Sequence, residues 1–379
     1  MIIDNMVNWI FLFVILTSYV SISNAETFVT SNDNYHLLNQ NVPVEKDCPI
    51  VTDKMEDRRK DKNHMRIMQY NVEWLFTEYY PPADCPGKGC PWGNSTAAQT
   101  HVEYVSQVIN KINPDILNLC EIQGCEELNE LINYLDNKNE YKHYVIQGDD
   151  TSTGQNVGLI TKLDPSSGKL SRINNRGSYP LKNSKCGYTG QGGTTEVSKH
   201  YFTEFKFGGM DVVFIGAHLL AMPTDPERCA KREAQASILR SLIESYHVIG
   251  HEIIVYGDFN DYDKEILDLN NHEPISRVLD IIKYGFKNDN NENLEITPVH
   301  LISSEEKVKK EDRYSLWWDE NGDGKVESSE YAMIDYILFS PSIYNMIKDV
   351  VVYHGYDEGL DIFDSDHYPI FVDLVLNNA

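Results

Sequence analysis

The stretch HEIIVYGDF, residues 251–259, decides the fold class of this chain. It is an apolar run of strand length bounded by turn-forming residues, a pattern that predicts a buried β-strand. Nine further runs of this kind occur, at residues 65–72, 115–122, 141–148, 156–163, 200–207, 210–219, 331–339, 348–355 and 367–375. About ten short strands in one chain favour sheets as the main building element.

Helical periodicity separates some of these strands. The stretches are residues 96–113, 125–137 and 227–246. In the first, Val102, Val105 and Ile109 recur at steps of three or four before Pro114 ends the helix. Ten strands with few helices predict an α/β fold in which two sheets pack face to face with helices outside.

The N-terminal residues differ from the rest of the chain. An apolar stretch from Trp9 to Leu16 leads to the small-residue triplet SNA, which predicts a secretory signal peptide over residues 1–25. Asp4 replaces the usual positive charge, and an uncleaved membrane anchor is the alternative, although the apolar core falls short of the ~20 residues that a span requires. We expect a protein secreted to the extracellular space or the secretory-pathway lumen.

The remaining sequence divides into two parts. Residues 26–63 are polar and lack periodicity, which predicts a mobile arm, and residues 64–379 are expected to form one domain. The net charge of −25 repels phosphate polyanions, which counts against a high-affinity nucleic-acid binder. The same charge is compatible with an enzyme that first recruits divalent cations. No feature implies a stable protein partner.

Seven cysteines follow the predicted cleavage site, and an oxidising compartment would pair most of them. Cys120 lies in the apolar run DILNLCEI and is expected to stay a buried thiol. Cys186 is expected to pair with Cys229. Two bridges of open connectivity are expected among Cys48, Cys85, Cys90 and Cys125; a zinc site is the rival interpretation, but companion histidines are lacking. Asn94 begins a glycosylation sequon.

Polar residues that can bind metal or transfer protons stand where the predicted strands end. They are Asn71, Glu121, His218, Asp258, Asn260, Asp366 and His367. A strand terminus holds a side chain rigidly while leaving it accessible. One such residue alone is usually a turn former, but together they predict a site at one edge of the sheets.

Six motifs carry a family resemblance. YNVEW, LCEIQ, GAHL, GDFND, MIDYILFS and SDHYP follow one another in the order and rough spacing of the endonuclease/exonuclease/phosphatase superfamily, the DNase I-like metal-dependent phosphodiesterases. The chain resembles this superfamily over about residues 65–376. The resemblance implies a four-layered α/β sandwich with two packed, mainly antiparallel sheets flanked by helices. It also implies hydrolysis of phosphodiester bonds by metal-assisted in-line attack of water, with an endonuclease acting on DNA or RNA as the favoured activity.

The resemblance also implies a role for each motif residue. Asn71, Glu121 and Asp366 would hold Mg²⁺ or Mn²⁺, which prefer oxygen ligands. Asp258 and Asn260 would orient the attacking water and the scissile phosphate.

Two histidines complete the implied site. His218 and His367 would contact the phosphate or move protons, and Asp335 would fix the tautomer of His367. The alternatives are a core histidine for His218, a simple turn residue for His367 and an ordinary ion pair for Asp335. Arg232 and Gln235 resemble an Arg-x-x-Gln pair of several family members, and a solvated helix face is the alternative.

One departure bears on the substrate. Secreted DNases of this family carry a carboxylate that partners the first histidine. This chain has Asn156 at that position, and we assign Asn156 to substrate binding. Asp149 or Asp150 could replace the missing carboxylate. The stretch AHLLAMP, which contains His218, is closer to the THL form of lipid and inositol phosphodiesterases than to the DNase form. Phospholipid (sphingomyelinase-like) or small-molecule phosphoester hydrolysis is therefore the alternative. In the stretch 78–93, Tyr79, Tyr80 and Trp92 would be available to contact a membrane surface or to stack on a base.

The stretch DENGDGKVESSE, residues 319–330, matches a calcium loop. Its ligand positions hold Asp319, Asn321, Asp323, Lys325, Glu327 and Glu330. An EF-hand needs a helix on each side, whereas RYSLWW precedes this loop and a strand-like run follows it. A structural Ca²⁺ that ties down a loop is therefore favoured over a sensor; a solvated acidic turn, or a noncatalytic calcium-binding protein on the same scaffold, is the alternative.

Overall fold

The computed structural model describes residues 48, 55–77, 92, 94–149, 153–285, 299–319, 326–355 and 365–376. Residues 45–379 form one compact unit. The predicted signal peptide and most of the predicted arm lie outside the described residues, as do Cys85, Cys90, Asp150 and residues 320–325 of the calcium loop.

Strands dominate the described ranges. They are β1 His64–Leu75, β2 Ile116–Ile122, β3 Lys142–Val145, β4 Asn156–Thr161, β5 Ser171–Arg172, β6 Arg176–Tyr179, β7 Gly193–Glu196, β8 Tyr201–Phe207, β9 Met210–His218, β10 Glu252–Asp258, β11 Ile302–Ser303, β12 Leu316–Trp317, β13 Tyr331–Ala332, β14 Asp335–Phe339, β15 Ile347–Val352 and β16 Ile370–Val375. The α-helices are α1 Ser95–Ile112, α2 Cys125–Asn133, α3 Pro226–Val248, α4 Val278–Tyr284 and α5 Pro341–Tyr344. Each of the ten predicted strand runs contains a strand, and the three predicted helices are present.

Two sheets form the centre of the fold. In the described residues the first has the strand order β15-β16-β1-β2-β4-β3, and the second has the order β11-β14-β10-β9-β8-β5. The pairs β1–β2 and β9–β10 are parallel, whereas the other pairs within these two sheets are antiparallel. The sheets are therefore mainly antiparallel, as expected.

The two sheets pack face to face, with helices on their outer faces. Strands β1 and β2 contact β10 across the interface, while α1 and α2 pack on the first sheet and α3 packs on β10. On α1, Val102, Val105 and Ile109 are fully buried, and burial of such a side chain contributes about 1.5–3 kcal/mol. Helix, sheet, sheet and helix make four layers, so the predicted four-layered α/β sandwich is confirmed.

Two disulfides lie in the described residues. Cys186 pairs with Cys229, as predicted, and Cys48 pairs with Cys125, which is one of the bridges whose connectivity the sequence left open. Cys120 is a buried free thiol, also as predicted. In the described part of the chain, no helix is both long and apolar enough to cross a membrane.

The segment 55–63 differs from the mobile arm predicted for residues 26–63. The guanidinium of Arg58 donates to Asp164 at 2.6 Å, and the backbone N–H of Arg58 donates to the Lys162 carbonyl at 2.8 Å. Arg59 is buried and forms an ion pair with Asp57 at 2.8 Å. The contacts of Arg58 thus hold this segment against the folded domain, which corrects the arm prediction for these residues.

The buried carboxylate of Glu305 is hydrogen-bonded to strand β14 and to two serine hydroxyls. It accepts hydrogen bonds from the Ile337 N–H at 3.0 Å, from the Ser304 hydroxyl at 3.0 Å and from the Ser303 hydroxyl. Burial raises the pKa of Glu305 from its ordinary value of 4.5 to about 7. The folded protein therefore holds this proton more tightly than the unfolded chain does.

We predict that this group makes the protein less stable as the pH rises. Between pH 4.5 and 7 the folded state binds more protons at Glu305, so its contribution of about 3 kcal/mol is full below 4.5 and lost above 7. Urea unfolding from pH 4 to 8 should show a shallower decline for Glu305→Gln than for the wild type. Equal slopes would contradict the assignment of the proton to Glu305.

Candidate active site

Three side chains of the second sheet stand side by side because of strand register. His218, the last residue of β9, pairs with Asp258 at the end of β10, and Asp258 pairs with Asp335 at the start of β14. All three are buried. The edge where these strands meet therefore presents one imidazole and two carboxylates.

The first sheet supplies its residues from β1 and β2. Asn71 lies in β1, and Glu121 lies at a register irregularity of β2, where it has a positive φ of 68°. A non-glycine residue in this conformation costs free energy and is common at functional sites. The bulge turns the Glu121 side chain toward Asn71, whose Nδ2 donates to Glu121 Oε1 at 3.3 Å.

The amide of Asn71 joins the two sheets. Its Nδ2 lies 3.2 Å from Asp258 Oδ2 and 3.3 Å from His367 Nε2. Its oxygen accepts from the Glu73 N–H at 3.1 Å, so the side chain presents its amino group to the cluster. Asn71 would need its amide turned over to serve as the predicted oxygen ligand. The predicted residues of both sheets nevertheless meet at one place.

His367 and Asp335 form the predicted pair. His367 Nδ1 lies 2.7 Å from Asp335 Oδ2, and both side chains are buried. Asp335 also accepts from Ser315 Oγ at 2.9 Å and from Gln69 Nε2 at 3.1 Å. Burial alone would lower the pKa of His367, but the negative charges of Asp335 and Asp366 raise it well above its ordinary value. The contact with Asp335 therefore keeps a proton on Nδ1 of His367.

His218 has the opposite electrostatic environment. Its Nε2 lies 3.6 Å from Asp258 Oδ2 and 3.7 Å from Glu121 Oε1. Its Nδ1 lies 3.5 Å from the ammonium of Lys199. Burial, followed by the positive charge of Lys199, lowers the pKa of His218 well below its ordinary value. The pKa values of the two histidines are thus shifted in opposite directions.

Asp258 lies at the centre of the cluster. Burial, together with the nearby charge of Asp335, raises the pKa of Asp258 to about 7. Its Oδ1 accepts from the backbone N–H of Asn260 at 2.8 Å. Asn260 has a positive φ of 50° and donates through Nδ2 to the Leu219 carbonyl at 3.1 Å. Asn260 therefore anchors both Asp258 and the segment that follows His218.

A group of carboxylates beside the histidines fits a divalent cation. Burial and mutual repulsion among Glu73, Glu121 and Asp366 raise the pKa of Glu73 and Glu121, and burial together with Asp335 raises that of Asp366. Glu73 Oε2 also accepts from the Asp366 N–H at 3.0 Å. A cation would offset this concentration of partly buried negative charge. In the described residues, the ligand atoms that come within 4.8 Å of one another belong instead to Asp258, Asp335 and His367.

Sequence reasoning missed three residues of the site. Glu73 lies in the motif YNVEW, so its presence there was the available signal. Gln155 donates to Glu121 Oε2 at 2.6 Å, and Lys199 faces His218. Neither Gln155 nor Lys199 belongs to a quoted motif, and each lies in the segment just before a strand, β4 for Gln155 and β8 for Lys199.

The structure corrects the substrate-binding assignment of Asn156. Its Nδ2 donates to the carbonyls of Gln123 at 2.8 Å and Gly154 at 2.9 Å, and its oxygen accepts from the Gly148 N–H at 2.8 Å. Both amide hydrogens are therefore used by the backbone. Asn156 instead holds neighbouring loops together. Asp149, one candidate for the missing carboxylate, pairs with Arg172 at 3.1 Å.

Arg232 and Gln235 are buried rather than solvated on α3. The Arg232 guanidinium donates to the carbonyls of Leu220 at 3.0 Å and Pro223 at 3.3 Å. Gln235 accepts from the Leu220 N–H at 3.1 Å. Both residues therefore fix the segment that follows His218.

The calcium loop connects paired strands. Leu316–Trp317 pairs with Tyr331–Ala332, and the Trp318 N–H donates to the Glu330 carbonyl at 3.3 Å. Trp317 N–H also donates to the Asp366 carbonyl at 2.9 Å, which places the base of the loop beside the site. The described flanks are strands, as expected for an accessory loop. The calcium ligands themselves remain predicted.

Comparisons with known proteins give matches to solved structures alone. No family model matches the chain, and no curated protein matches it. Similar structures include a truncated Caenorhabditis elegans TDP2, at 15% identity over 82% of this chain and 97% of that chain with a TM-score of 0.49. A mannosyl-6-phosphatase of Bacteroides thetaiotaomicron is 16% identical over 82% of this chain and 99% of that chain, with a TM-score of 0.46. A 3′ phosphatase NExo from Neisseria, bound to product DNA hairpin, is 15% identical over 82% and 99%, with a TM-score of 0.49.

Proposed function

We propose that this chain is a divalent-metal-dependent phosphoester hydrolase, with nucleic acid as the first substrate class to test. The observation that supports it most is the register of His218, Asp258 and Asp335, which face Asn71 of the first sheet and His367, three residues before β16. The cluster combines a carboxylate of raised pKa with two imidazoles whose pKa values are shifted in opposite directions. Such a cluster suits proton transfer and stabilisation of negative charge at a phosphate.

Glu73, Glu121 and Asp366 would hold the cation, with Asn71 joining them through its oxygen. Mg²⁺ and Mn²⁺ prefer such oxygen ligands. When bound, the cation would neutralise charge on the phosphate oxygens that otherwise repel an incoming nucleophile.

Asp258 is placed to take a proton from the attacking water. The Asn260 N–H holds one carboxylate oxygen at 2.8 Å, and the other oxygen faces the cluster. The pKa of about 7 means that Asp258 binds a proton near neutral pH, where a general base is most efficient. Asn260 would keep this carboxylate in position while the phosphate binds.

His367 is placed to stabilise negative charge on the phosphate. Asp335 accepts the Nδ1–H at 2.7 Å, so Nε2 is directed toward Asn71 and Asp258. The imidazolium form, favoured by neighbouring carboxylates, would bring a positive charge to the reacting group. His218 would contact the phosphate from the other side.

We also propose secretion and a structural Ca²⁺. The predicted signal peptide over residues 1–25, the sequon at Asn94 and the two disulfides agree with an oxidising compartment. A Ca²⁺ bound by the 319–330 loop would stabilise the base of that loop next to Asp366. Extracellular Ca²⁺ would keep even a weak site filled.

Hydrolysis assays on the purified mature protein test the proposal. The substrates are plasmid DNA, RNA, a phosphomonoester and a choline phospholipid, each with Mg²⁺ in the presence and absence of Ca²⁺. His218→Ala and His367→Ala should each lower turnover by about 10²–10⁴-fold. His64→Ala is the matched control, since His64 is exposed at the far end of β1.

The outcomes separate the candidate functions. Cleavage of DNA or RNA that both histidine variants lose would support the nuclease, whereas cleavage of the phospholipid alone would identify a lipid phosphodiesterase. A folded protein that binds Ca²⁺ but hydrolyses none of the four substrates would favour the noncatalytic calcium-binding protein and overturn the proposal.

A further inference from the structure

The two ring nitrogens of His218 face groups of opposite kind. Nδ1 lies 3.5 Å from the ammonium of Lys199, which only donates hydrogen bonds. Nε2 points toward the carboxylates of Asp258 at 3.6 Å and Glu121 at 3.7 Å, both too distant for a hydrogen bond. The contact with Lys199 therefore favours one tautomer, with a lone pair on Nδ1 and the proton on Nε2.

Lys199 lies in the turn that precedes β8, and β8 pairs with β9, whose last residue is His218. The turn is closed by the His200 N–H, which donates to the Val197 carbonyl at 3.0 Å. The neighbouring His200 donates from Nε2 to the His218 carbonyl at 2.6 Å, which fixes the backbone of this pair.

The loop that contains Gly148 and Asp149 packs against the turn of Lys199. A Cβ added at Gly148 would meet the Lys199 Cα at 2.5 Å, so only glycine fits this approach. The Asp149 N–H donates to Ser198 Oγ at 2.7 Å, and the Gly148 N–H donates to Asn156 at 2.8 Å. Asn156 thus positions the loop of Gly148, and that loop packs against Lys199. The buried amide of Asn156 therefore acts on the site through Lys199.

The other histidine of the site is held in the opposite way. At His367, Nδ1 faces the carboxylate of Asp335 at 2.7 Å, so Nδ1 carries the proton. At His218 the corresponding nitrogen faces a cation. The two rings therefore differ in which nitrogen carries the proton: Nδ1 in His367 and Nε2 in His218.

We propose that Lys199 is a positioning residue that keeps His218 as the neutral Nε2–H tautomer, so that His218 donates a hydrogen bond to the phosphate and does not act as a base. The proposal rests on the proposed phosphoester hydrolysis for its catalytic consequence. The Lys199–His218 contact itself is independent of the substrate.

Nuclear magnetic resonance of nitrogen-15-labelled histidine rings tests the contact without any assay of activity. In the wild type we expect Nδ1 of His218 to be the unprotonated nitrogen and Nε2 the protonated one. Lys199→Met should shift the Nδ1 resonance because it removes the donor, and Lys199→Arg should leave it nearly in place. Lys206→Met is the matched control, since Lys206 is exposed on β8 and pairs with Asp211.

Kinetics then distinguish positioning from substrate binding. Lys199→Met should lower kcat by about 10–100-fold with little change in KM, and it should add nothing in the His218→Ala background. Lys199→Arg should recover most of the activity.

Three results would overturn the proposal: a proton on Nδ1 in the wild type, an unshifted Nδ1 resonance in Lys199→Met, or a raised KM with unchanged kcat. If the wild type hydrolysed no phosphoester, the proposed function would fail, but the ring resonances would still decide the role of Lys199.

Discussion

Asp258→Asn is expected to lower kcat by about 10²–10⁴-fold while leaving the protein as stable as the wild type or more stable. The amide cannot take a proton from water, so the general base is lost. It can still accept from the Asn260 N–H, which lies 2.8 Å from the carboxylate oxygen in the wild type. The pKa of about 7 shows that the charged form of Asp258 is costly in the fold, and the substitution removes that charge.

Hydrolysis rates and thermal unfolding of the same preparation measure the two effects. Asp211→Asn is the matched control, because Asp211 is exposed near the start of β9 and far along the strand from His218. Loss of activity with retained stability would show that Asp258 serves function at the expense of stability. Near-normal turnover in Asp258→Asn would remove Asp258 from the catalytic role.

His367→Ala and Asp335→Asn are expected to lower kcat/KM by about 10²–10⁴-fold each, and their effects should not add. Asp335 acts on the reaction through His367, to which it is bonded at 2.7 Å. Once the imidazole is gone, the carboxylate has no further route to the phosphate. The double variant should therefore be about as active as His367→Ala alone.

A double-mutant cycle on kcat/KM measures this coupling. Because Ser315 and Gln69 also donate to Asp335, unfolding of Asp335→Asn must be measured beside its kinetics. Ser315→Ala provides a control that removes one donor to Asp335 and leaves the pair with His367 in place. Fully additive losses would mean that Asp335 and His367 act separately.

The strands and the main site residues could be predicted because local sequence carries their signal. Apolar runs between turn residues mark β10 and its neighbours, and Asp258 directly ends such a run. The prediction that His218 and Asp258 converge needed only that the ends of neighbouring strands share an edge, whereas Asp335 came from the family resemblance. Register then confirms that they are neighbours.

The roles of Lys199, Gln155 and Asn156 could not be predicted, because they depend on contacts between segments distant in sequence. Lys199 contacts His218 from the turn before β8, and Asn156 is hydrogen-bonded to backbone groups of three separate positions. Glu121 depends on a bulge with a positive φ, and a sequence of the form LCEIQ does not specify one.

The mobile arm predicted for residues 55–63 was wrong for a related reason. The charge density of this segment indicates solvation, but Arg58 is hydrogen-bonded to the buried Asp164, which lies more than 100 residues away in the sequence. Pairing of charges across such distances is invisible to composition. The same limit applies to Glu73, whose carboxylate meets Asp366 at the opposite end of the domain sequence.

The most direct test of the central claim is the metal dependence of the hydrolysis assays. Protein stripped with EDTA should cleave none of the substrates, and Mg²⁺ should restore turnover in the wild type. Glu121→Gln should require a higher Mg²⁺ concentration for half-maximal turnover, by about 10–100-fold, since it removes one charged ligand. Turnover that persists in EDTA, or that responds to Mg²⁺ equally in wild type and Glu121→Gln, would contradict a metal-dependent site at this edge of the sheets.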